Sequence, residues 1–85
     1  MNYRIEFASS AVREFKALER TVQRRIATRI DALAANPFPS DVKKLQGAPE
    51  HYRIRVGDYR VIYRVEKKIV TIVVVKIGHR REVYR

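Results

Sequence analysis

The most constraining feature of the sequence is an alternation of apolar and polar side chains from His51 to Val65, interrupted only at Gly57-Asp58. A period of two is typical of β-strands with one buried face. Two intervening residues with glycine first suit a tight hairpin turn. The pattern predicts two antiparallel strands, His51–Val56 and Tyr59–Val65, in a register that sets Arg55 opposite Arg60.

This register divides the side chains of the hairpin between two faces. The apolar face, expected to meet the core, collects Tyr52, Ile54, Val56, Tyr59, Val61 and Tyr63. The other face collects Arg53, Arg55, Arg60 and Arg64. Like charges directly opposite on paired strands repel, so Arg55 against Arg60 costs stability unless an anion lies between them. The arginines could simply extend into solvent, but their number favours an anion-binding site.

The first half of the chain predicts one strand and two helices. Asn2 to Phe7 alternates and indicates a short strand. Apolar residues then recur at helical spacing in two sets, Val12, Phe15 and Leu18, followed by Val22, Ile26, Ile30, Leu33 and Ala34. Ser9, Ser10 and Thr21 are the expected N-caps. The proline-containing segment Asn36–Asp41 ends the second helix.

A last strand is expected from Ile69 to Ile77, where both faces are apolar, as suits a strand inside the sheet. The tail Gly78–Arg85 is expected to leave that strand. The predicted fold class is α+β with the order β-α-α-β-β-β: a helix hairpin packed on one face of a small, mainly antiparallel, twisted sheet. Residues 1–85 are expected to form a single domain.

Composition narrows the chemistry that this domain can perform. The chain has no cysteine and only two histidines, His51 and His79, so neither a metal site nor a cofactor is expected. It has no apolar run of the length of a signal peptide or a membrane span, which predicts a cytoplasmic protein without a membrane partner.

The charge is large and unevenly distributed. The chain has 19 basic and 9 acidic residues, which give a formal charge of +10. Residues 1–41 hold 7 basic and 5 acidic residues, whereas residues 42–85 hold 12 basic and 4 acidic residues. Such a field attracts polyanions, and nucleic acid is the most common of these in the cytoplasm. A basic but merely soluble surface is the alternative, because composition alone is not specific.

No glycine-rich phosphate loop, serine nucleophile elbow or close pair of carboxylates is present. Metal-independent phosphodiester cleavage remains, which needs a base for a ribose 2′-hydroxyl, cations for the charge on phosphorus, and an acid for the leaving oxygen. Arginines, Tyr84 and His79 are the groups available for these tasks. His79 is a second candidate acid or base, because histidine is the usual residue for proton transfer near neutral pH, although it could equally be an exposed histidine that does no more than contact phosphate.

Four short motifs occur in this order: Lys43-Lys-Leu-Gln-Gly47, Tyr52-Arg-Ile-Arg55, Asp58-Tyr-Arg-Val-Ile-Tyr63 and Gly78-His-Arg-Arg-Glu-Val-Tyr84. Together they resemble the RelE/ParE toxin superfamily over nearly the whole chain, and more closely its RelE branch. The resemblance implies a RelE-like fold and a ribosome-dependent endonuclease that cleaves mRNA in the ribosomal A site. It also implies a toxin of a type II toxin–antitoxin system, whose cognate acidic, RelB-like antitoxin holds it inactive.

The resemblance assigns roles to particular residues. Arg53 and Arg55 match two basic residues that grip the RNA backbone and stabilise the transition state, and Arg60 matches the arginine that holds the scissile phosphate. Arg80, or Arg81 in an alternative alignment, matches an arginine that assists the leaving oxygen, and Tyr84 matches the general base. These give the expected catalytic residues Arg53, Arg55, Arg60, Arg80 and Tyr84, and the expected RNA-binding residues Lys43, Lys44, Arg64, His79 and Arg81.

Two other functions remain open from the sequence. A ParE-like toxin would inhibit DNA gyrase without any catalytic residues. A non-catalytic relative would bind nucleic acid only, acting with its antitoxin at an operator.

Overall fold

The computed structural model describes residues 2–79. In chain order the elements are β1 (Arg4–Phe7), α1 (Ser9–Lys16), α2 (Arg20–Ala35), β2 (Lys43–Lys44), β3 (His51–Val56), β4 (Tyr59–Glu66) and β5 (Thr71–His79). The strands form one sheet in the order β1-β5-β4-β3-β2. β1 pairs parallel to β5, and the other pairs are antiparallel. The predicted α+β fold is confirmed, with β2 as one short additional strand. Over these residues no helix combines the length and the apolar character needed to cross a membrane.

The predicted hairpin register is confirmed. Val56 pairs with Tyr59 and Arg55 pairs with Arg60, so only Gly57 and Asp58 remain in the turn. Gly57 has a φ of +61°, a left-handed conformation that glycine adopts without a steric penalty. The turn therefore fixes which side chains of β3 and β4 share a face.

The core lies between the helices and the apolar face of the sheet. α2 contributes Ile26, Ile30 and Leu33, which are buried as its periodicity predicts. These side chains belong to one apolar cluster with the buried members of β3, β4 and β5: Ile54, Val56, Val61, Tyr63, Val65, Ile72, Val74 and Ile77. β5 lies between β1 and β4, which agrees with its apolar sequence.

The predicted N-caps are wrong, and the reason lies at the edge of the sheet. The N-cap residues are Ala8 and Glu19, and neither makes a side-chain capping bond. β1 pairs with β5 only as far as Val74, so no strand of the described part of the chain lies beside the rest of β5 on that edge. Ser10 Oγ donates a hydrogen bond to the Val75 carbonyl there, 3.2 Å away. Its hydroxyl therefore serves the sheet rather than its own helix.

Glu14, one helical turn after Ser10, also forms hydrogen bonds with groups at this edge of β5. The Ile77 N–H donates to its carboxylate at 2.8 Å, and Lys76 Nζ lies 3.1 Å from the other carboxylate oxygen. Side chains four residues apart lie on the same side of a helix. α1 therefore covers the part of β5 that β1 does not reach.

The predicted bounds of the last strand are wrong by two residues at each end. Lys67–Ile69 forms a 3-10 turn, and Val70 follows with a φ of 49°. Ile69 is 61% exposed, so this apolar side chain is not buried in a strand as its sequence context suggested. Gly78 and His79, predicted to leave the strand, are its last two residues, because β4 continues to pair with them at Arg60 and Tyr59.

α2 is also tied to the edge of β3. β2 pairs only with Tyr52 and Arg53, so within residues 2–79 the end of β3 has no strand on that side. Arg29 Nη1 donates to the Arg55 carbonyl there at 3.0 Å. The second terminal nitrogen of Arg29 donates to both carboxylate oxygens of Asp41, at 3.1 and 2.9 Å. Arg29 thus joins a helix, a strand edge and the loop before β2.

Tyr63 anchors the segment that follows α2. Its ring is fully buried, and its hydroxyl donates a 2.6 Å hydrogen bond to the carbonyl of Pro37. Tyr52 lies against it, with ring centroids 6.0 Å apart, and Phe38 packs on Tyr52 at 5.1 Å. Burial raises the pKa of Tyr63 well above its ordinary value.

The first prediction concerns Tyr63→Phe. At pH 7 we expect a loss of about 1 kcal/mol in the free energy of unfolding, because the buried Pro37 carbonyl loses its donor. The unfolded chain releases the tyrosine proton near pH 10 while the folded chain keeps it, so the wild type loses stability as the pH rises beyond that point. The difference in the free energy of unfolding between the wild type and Tyr63→Phe, measured with urea, should therefore be smaller near pH 11 than at pH 7. An equal difference at the two pH values would contradict the hydrogen bond from the Tyr63 hydroxyl to Pro37.

The second prediction concerns Arg29→Met. We expect a loss of about 1 kcal/mol at pH 7, because both the partly exposed ion pair and the bond to the Arg55 carbonyl are removed. Arg29 lowers the pKa of Asp41, so the ion pair stabilises the fold above about pH 4 and is lost as the pH falls further. Unfolding curves should show a smaller difference at pH 3 than at pH 7. Arg24→Met, on the same helix, is the control and should change stability by less than about 0.5 kcal/mol.

Candidate active site

A basic cleft lies on the face of the sheet opposite the helices. Its volume is about 420 Å³, and its lining residues are Asp41, Lys43, Arg53, Arg55 and Arg60. Three of the five expected catalytic residues and one expected RNA-binding lysine are thus brought together. We refer to this site as the arginine cleft.

Strand pairing holds these cations close to one another. Lys43 on β2 pairs with Arg53 on β3, and Arg55 pairs with Arg60 on β4. Directly opposite residues have Cβ atoms about 5 Å apart, and alternate residues of one strand lie about 7 Å apart. Four positive charges therefore occupy neighbouring positions on three strands.

Arg60 differs from its neighbours in its burial. It is 6% exposed, on the central strand, whereas Arg55 is exposed and Arg53 is half-buried. One of its guanidinium nitrogens donates to the Tyr59 carbonyl at 3.3 Å. A buried side chain has few conformations to lose when it binds a ligand. Arg60 is therefore the fixed cation of the cleft, and Arg55 has the freedom to adjust.

Among the described residues that line the cleft, Asp41 is the one acidic residue. Its hydrogen bonds to Arg29 lower the pKa of its carboxyl group, and this effect outweighs the opposing effect of burial. A carboxylate held in this way is ionised at neutral pH and is a weak base. Its negative charge is directed at Arg29, so most of the positive charge of the cleft remains available to a ligand.

Three expected RNA-binding residues lie away from the arginine cleft. Lys44 pairs with Tyr52 and so belongs to the opposite face of the sheet. Arg64 is on the same face as Arg60 but about 13 Å further along β4, where it forms a 3.5 Å ion pair with Glu66. His79 pairs with Tyr59, and their rings are in edge contact at 5.7 Å between centroids, on the side of the helices.

The remaining expected site residues, Arg80, Arg81 and Tyr84, lie outside the described residues. Their roles stay predictions. Sequence reasoning missed Arg29 and Asp41, which support the wall of the cleft. Helical periodicity places Arg29 at the border of the buried stripe of α2 but carries no signal for a partner in another segment.

The cleft has the chemistry of an anion site. Guanidinium groups stay protonated, donate paired hydrogen bonds to phosphate oxygens, and stabilise negative charge that develops on phosphorus. They are poor acids and bases. The residues that line the described cleft therefore supply binding and electrostatic stabilisation, and proton transfer has to come from another group.

Comparison with known proteins places this chain in a family. The family model for the ParE toxin of type II toxin–antitoxin systems, parDE, matches residues 5–84. The chain is 30% identical to the mRNA interferase toxin RelE of Escherichia coli K12, with 99% of this chain and 92% of that protein aligned. It is 31% identical to toxin RelE3 of Methanocaldococcus jannaschii, with 95% and 94% aligned.

The fold agrees with these relationships. The crystal structure of the archaeal RelE–RelB complex from Pyrococcus horikoshii superimposes with a TM-score of 0.82 at 36% identity, over 94% of this chain and 97% of that one. The predicted resemblance to RelE and ParE toxins is confirmed by sequence and by structure. The chain belongs to the ParE toxin family of type II toxin–antitoxin systems, and its relatives in that family include RelE toxins.

Proposed function

We propose that this protein is a RelE-type toxin, an endonuclease that cleaves mRNA in the ribosomal A site and so inhibits translation. The observation that carries the proposal is the arginine cleft, in which Arg53, Arg55 and Lys43 surround the buried Arg60. Folding does not require this arrangement, because Arg55 opposite Arg60 is a repulsive pair. An RNA phosphate between the two side chains would convert the repulsion into binding.

The proposed reaction is attack of a ribose 2′-hydroxyl on the adjacent phosphorus. The 2′ oxygen forms a bond to phosphorus as its proton passes to a base, and the bond to the 5′ oxygen breaks as that oxygen receives a proton. The products are a 2′,3′-cyclic phosphate and a free 5′-hydroxyl. Arg60 would hold the scissile phosphate, and Arg53 and Arg55 would stabilise the additional negative charge of the transition state. No metal ion is needed for these steps.

The proton-transfer groups are proposed from the family resemblance. Tyr84 is the proposed base that accepts the 2′ proton. Arg80 or Arg81 would act as the acid that protonates the leaving 5′ oxygen, or would neutralise that oxygen while water supplies its proton. A tyrosine is a weak base in water, and nearby guanidinium groups favour its phenolate form. His79 becomes the weaker candidate, because its ring packs against Tyr59 on the side of the helices.

A cognate acidic antitoxin, RelB-like, is the proposed regulatory partner, and the ribosome with its mRNA the proposed target. The charge of +10 favours both, since each presents a negatively charged surface. The Pyrococcus relative was solved in complex with RelB.

The description of the matching family as ParE supports a second candidate function, that of a gyrase inhibitor. That function gives no reason for three cations to converge around Arg60.

The third prediction tests Arg60. With ribosomes programmed with a defined mRNA, we expect A-site cleavage by the wild type and a loss of about 100- to 1,000-fold in kcat for Arg60→Met, which removes the phosphate-binding charge while keeping much of the side-chain volume. Arg13→Ala, an exposed arginine on α1, is the control and should cleave normally. Intact mRNA with the wild-type protein, alongside stalled gyrase–DNA complexes, would refute the endonuclease and favour the second candidate.

The fourth prediction separates the tyrosine from the arginines. In the same assay Tyr84→Phe should lower kcat by about 100-fold or more, because the base is removed, and should leave KM nearly unchanged. Arg55→Ala should raise KM and lower kcat together, because Arg55 would contact the RNA both before and during the reaction. Full activity of Tyr84→Phe would assign the base to another group and leave the role of the cleft intact.

A further inference from the structure

A second basic hollow lies beside the arginine cleft, between α2 and the tip of the β3–β4 hairpin. Its volume is about 360 Å³, and its lining residues are Arg25, Thr28, Arg29, Arg55, Val56 and Gly57. Arg55 also lines the arginine cleft and is common to both sites. The two hollows therefore form one basic surface that bends around the edge of β3.

Arg25 and Arg55 carry the available charge of this second hollow. Arg29 is already bound to Asp41, so its charge is largely balanced. Within residues 2–79 neither Arg25 nor Arg55 forms a salt bridge. Two arginines without acidic partners facing the same hollow repel each other, and an anion between them removes that cost.

Gly57 allows this arrangement at the hairpin tip. A Cβ atom at that position would lie 3.1 Å from one terminal nitrogen of Arg25 and 3.5 Å from the other. Without a side chain there, the Arg25 guanidinium lies directly against the turn. Thr28 lines the hollow but does not offer a hydrogen-bond donor to a ligand, because its hydroxyl already donates to the Arg24 carbonyl at 2.9 Å.

We propose that Arg25 and Arg55 form a second phosphate site, which binds the RNA strand one step away from the scissile phosphate at Arg60. The inference rests on the proposed function, since it takes RNA as the ligand of the cleft. Arg55 would lie between the two phosphates and Arg25 beyond it. The strand would thus pass from the face of the sheet, around the edge of β3, to α2.

The lining of the hollow favours RNA over an acidic peptide. A helical or extended peptide gains much of its affinity from apolar side chains placed in apolar pockets. Among the described residues that line this hollow, Val56 is the one with an apolar side chain, and it is 7% exposed. Guanidinium groups around a hollow with no apolar anchor pocket match a phosphate backbone, whose contacts are almost entirely electrostatic.

The first test is direct binding of a short single-stranded RNA oligonucleotide to the full-length protein, followed by fluorescence anisotropy at several salt concentrations. Arg25→Ala should weaken binding about fivefold and reduce the slope of log K against log salt by about 0.7, the contribution of one phosphate contact on a single strand. Arg25→Lys keeps the charge and should restore most of the affinity. The matched control, Arg24→Ala, removes the same charge from a neighbouring exposed position of α2 and should have a clearly smaller effect.

Equal losses for Arg24→Ala and Arg25→Ala would show a diffuse field instead of a site, and would overturn the inference. The inference would also be overturned if Arg25→Ala bound an acidic peptide more weakly than the wild type does but bound RNA equally well. That result would assign the hollow to a protein partner. Thermal unfolding of each variant checks that the fold is retained.

A second measurement distinguishes failure of this inference from failure of the proposed function. In the ribosomal cleavage assay, Arg25→Ala should raise KM about fivefold and leave kcat unchanged, because Arg25 touches no reacting atom. Wild-type protein that cleaves mRNA while Arg25→Ala keeps its KM would refute only the second phosphate site. Wild-type protein that binds the oligonucleotide through Arg25 but cleaves nothing would refute only the endonuclease.

Discussion

The register of the β3–β4 hairpin is the constraint on which the rest of the molecule depends. Side chains alternate between the two faces of a strand, so a slip of one residue would exchange the buried and exposed sets. Such a slip would turn the arginines into the core and the tyrosines into solvent. The two-residue turn at Gly57 and Asp58 prevents this, and it also sets Arg55 against Arg60. One turn thus determines both the hydrophobic core and the basic face.

The helices are attached to the sheet by polar contacts at its edges as well as by apolar packing. Ser10 and Glu14 of α1 bind backbone groups of β5 beyond the end of β1. Arg29 of α2 binds the Arg55 carbonyl of β3 beyond the end of β2. Exposed edges with unpaired backbone groups invite association with other chains. Beyond the end of each short outer strand, helix side chains therefore bind the backbone groups that the strand does not reach. The contact made by Arg29 also fixes the position of the arginine cleft relative to α2.

The sequence was sufficient for features that depend on local periodicity. The hairpin register, the buried face of α2 and the interior position of β5 all follow from patterns with a period of 2 or 3.6. It was insufficient where a residue serves a distant segment: Ser10 satisfies the sheet instead of capping a helix, and Arg29 binds Asp41 across a loop. Arg53, Arg55 and Arg60 could be assigned to one face because strand pairing is periodic, whereas His79 could not be placed without knowing where β5 ends.

The position of β5 between β1 and β4 has a consequence for folding order. Among the described strands, β1 pairs with β5 alone, so it has no partner in the sheet until Thr71–His79 is available. The first and last strands of the described chain must therefore meet before the sheet is complete, a contact of long sequence separation that slows folding. The hairpin can form early from local contacts, but the five-stranded platform beneath the arginines is assembled only when nearly the whole chain has been synthesised.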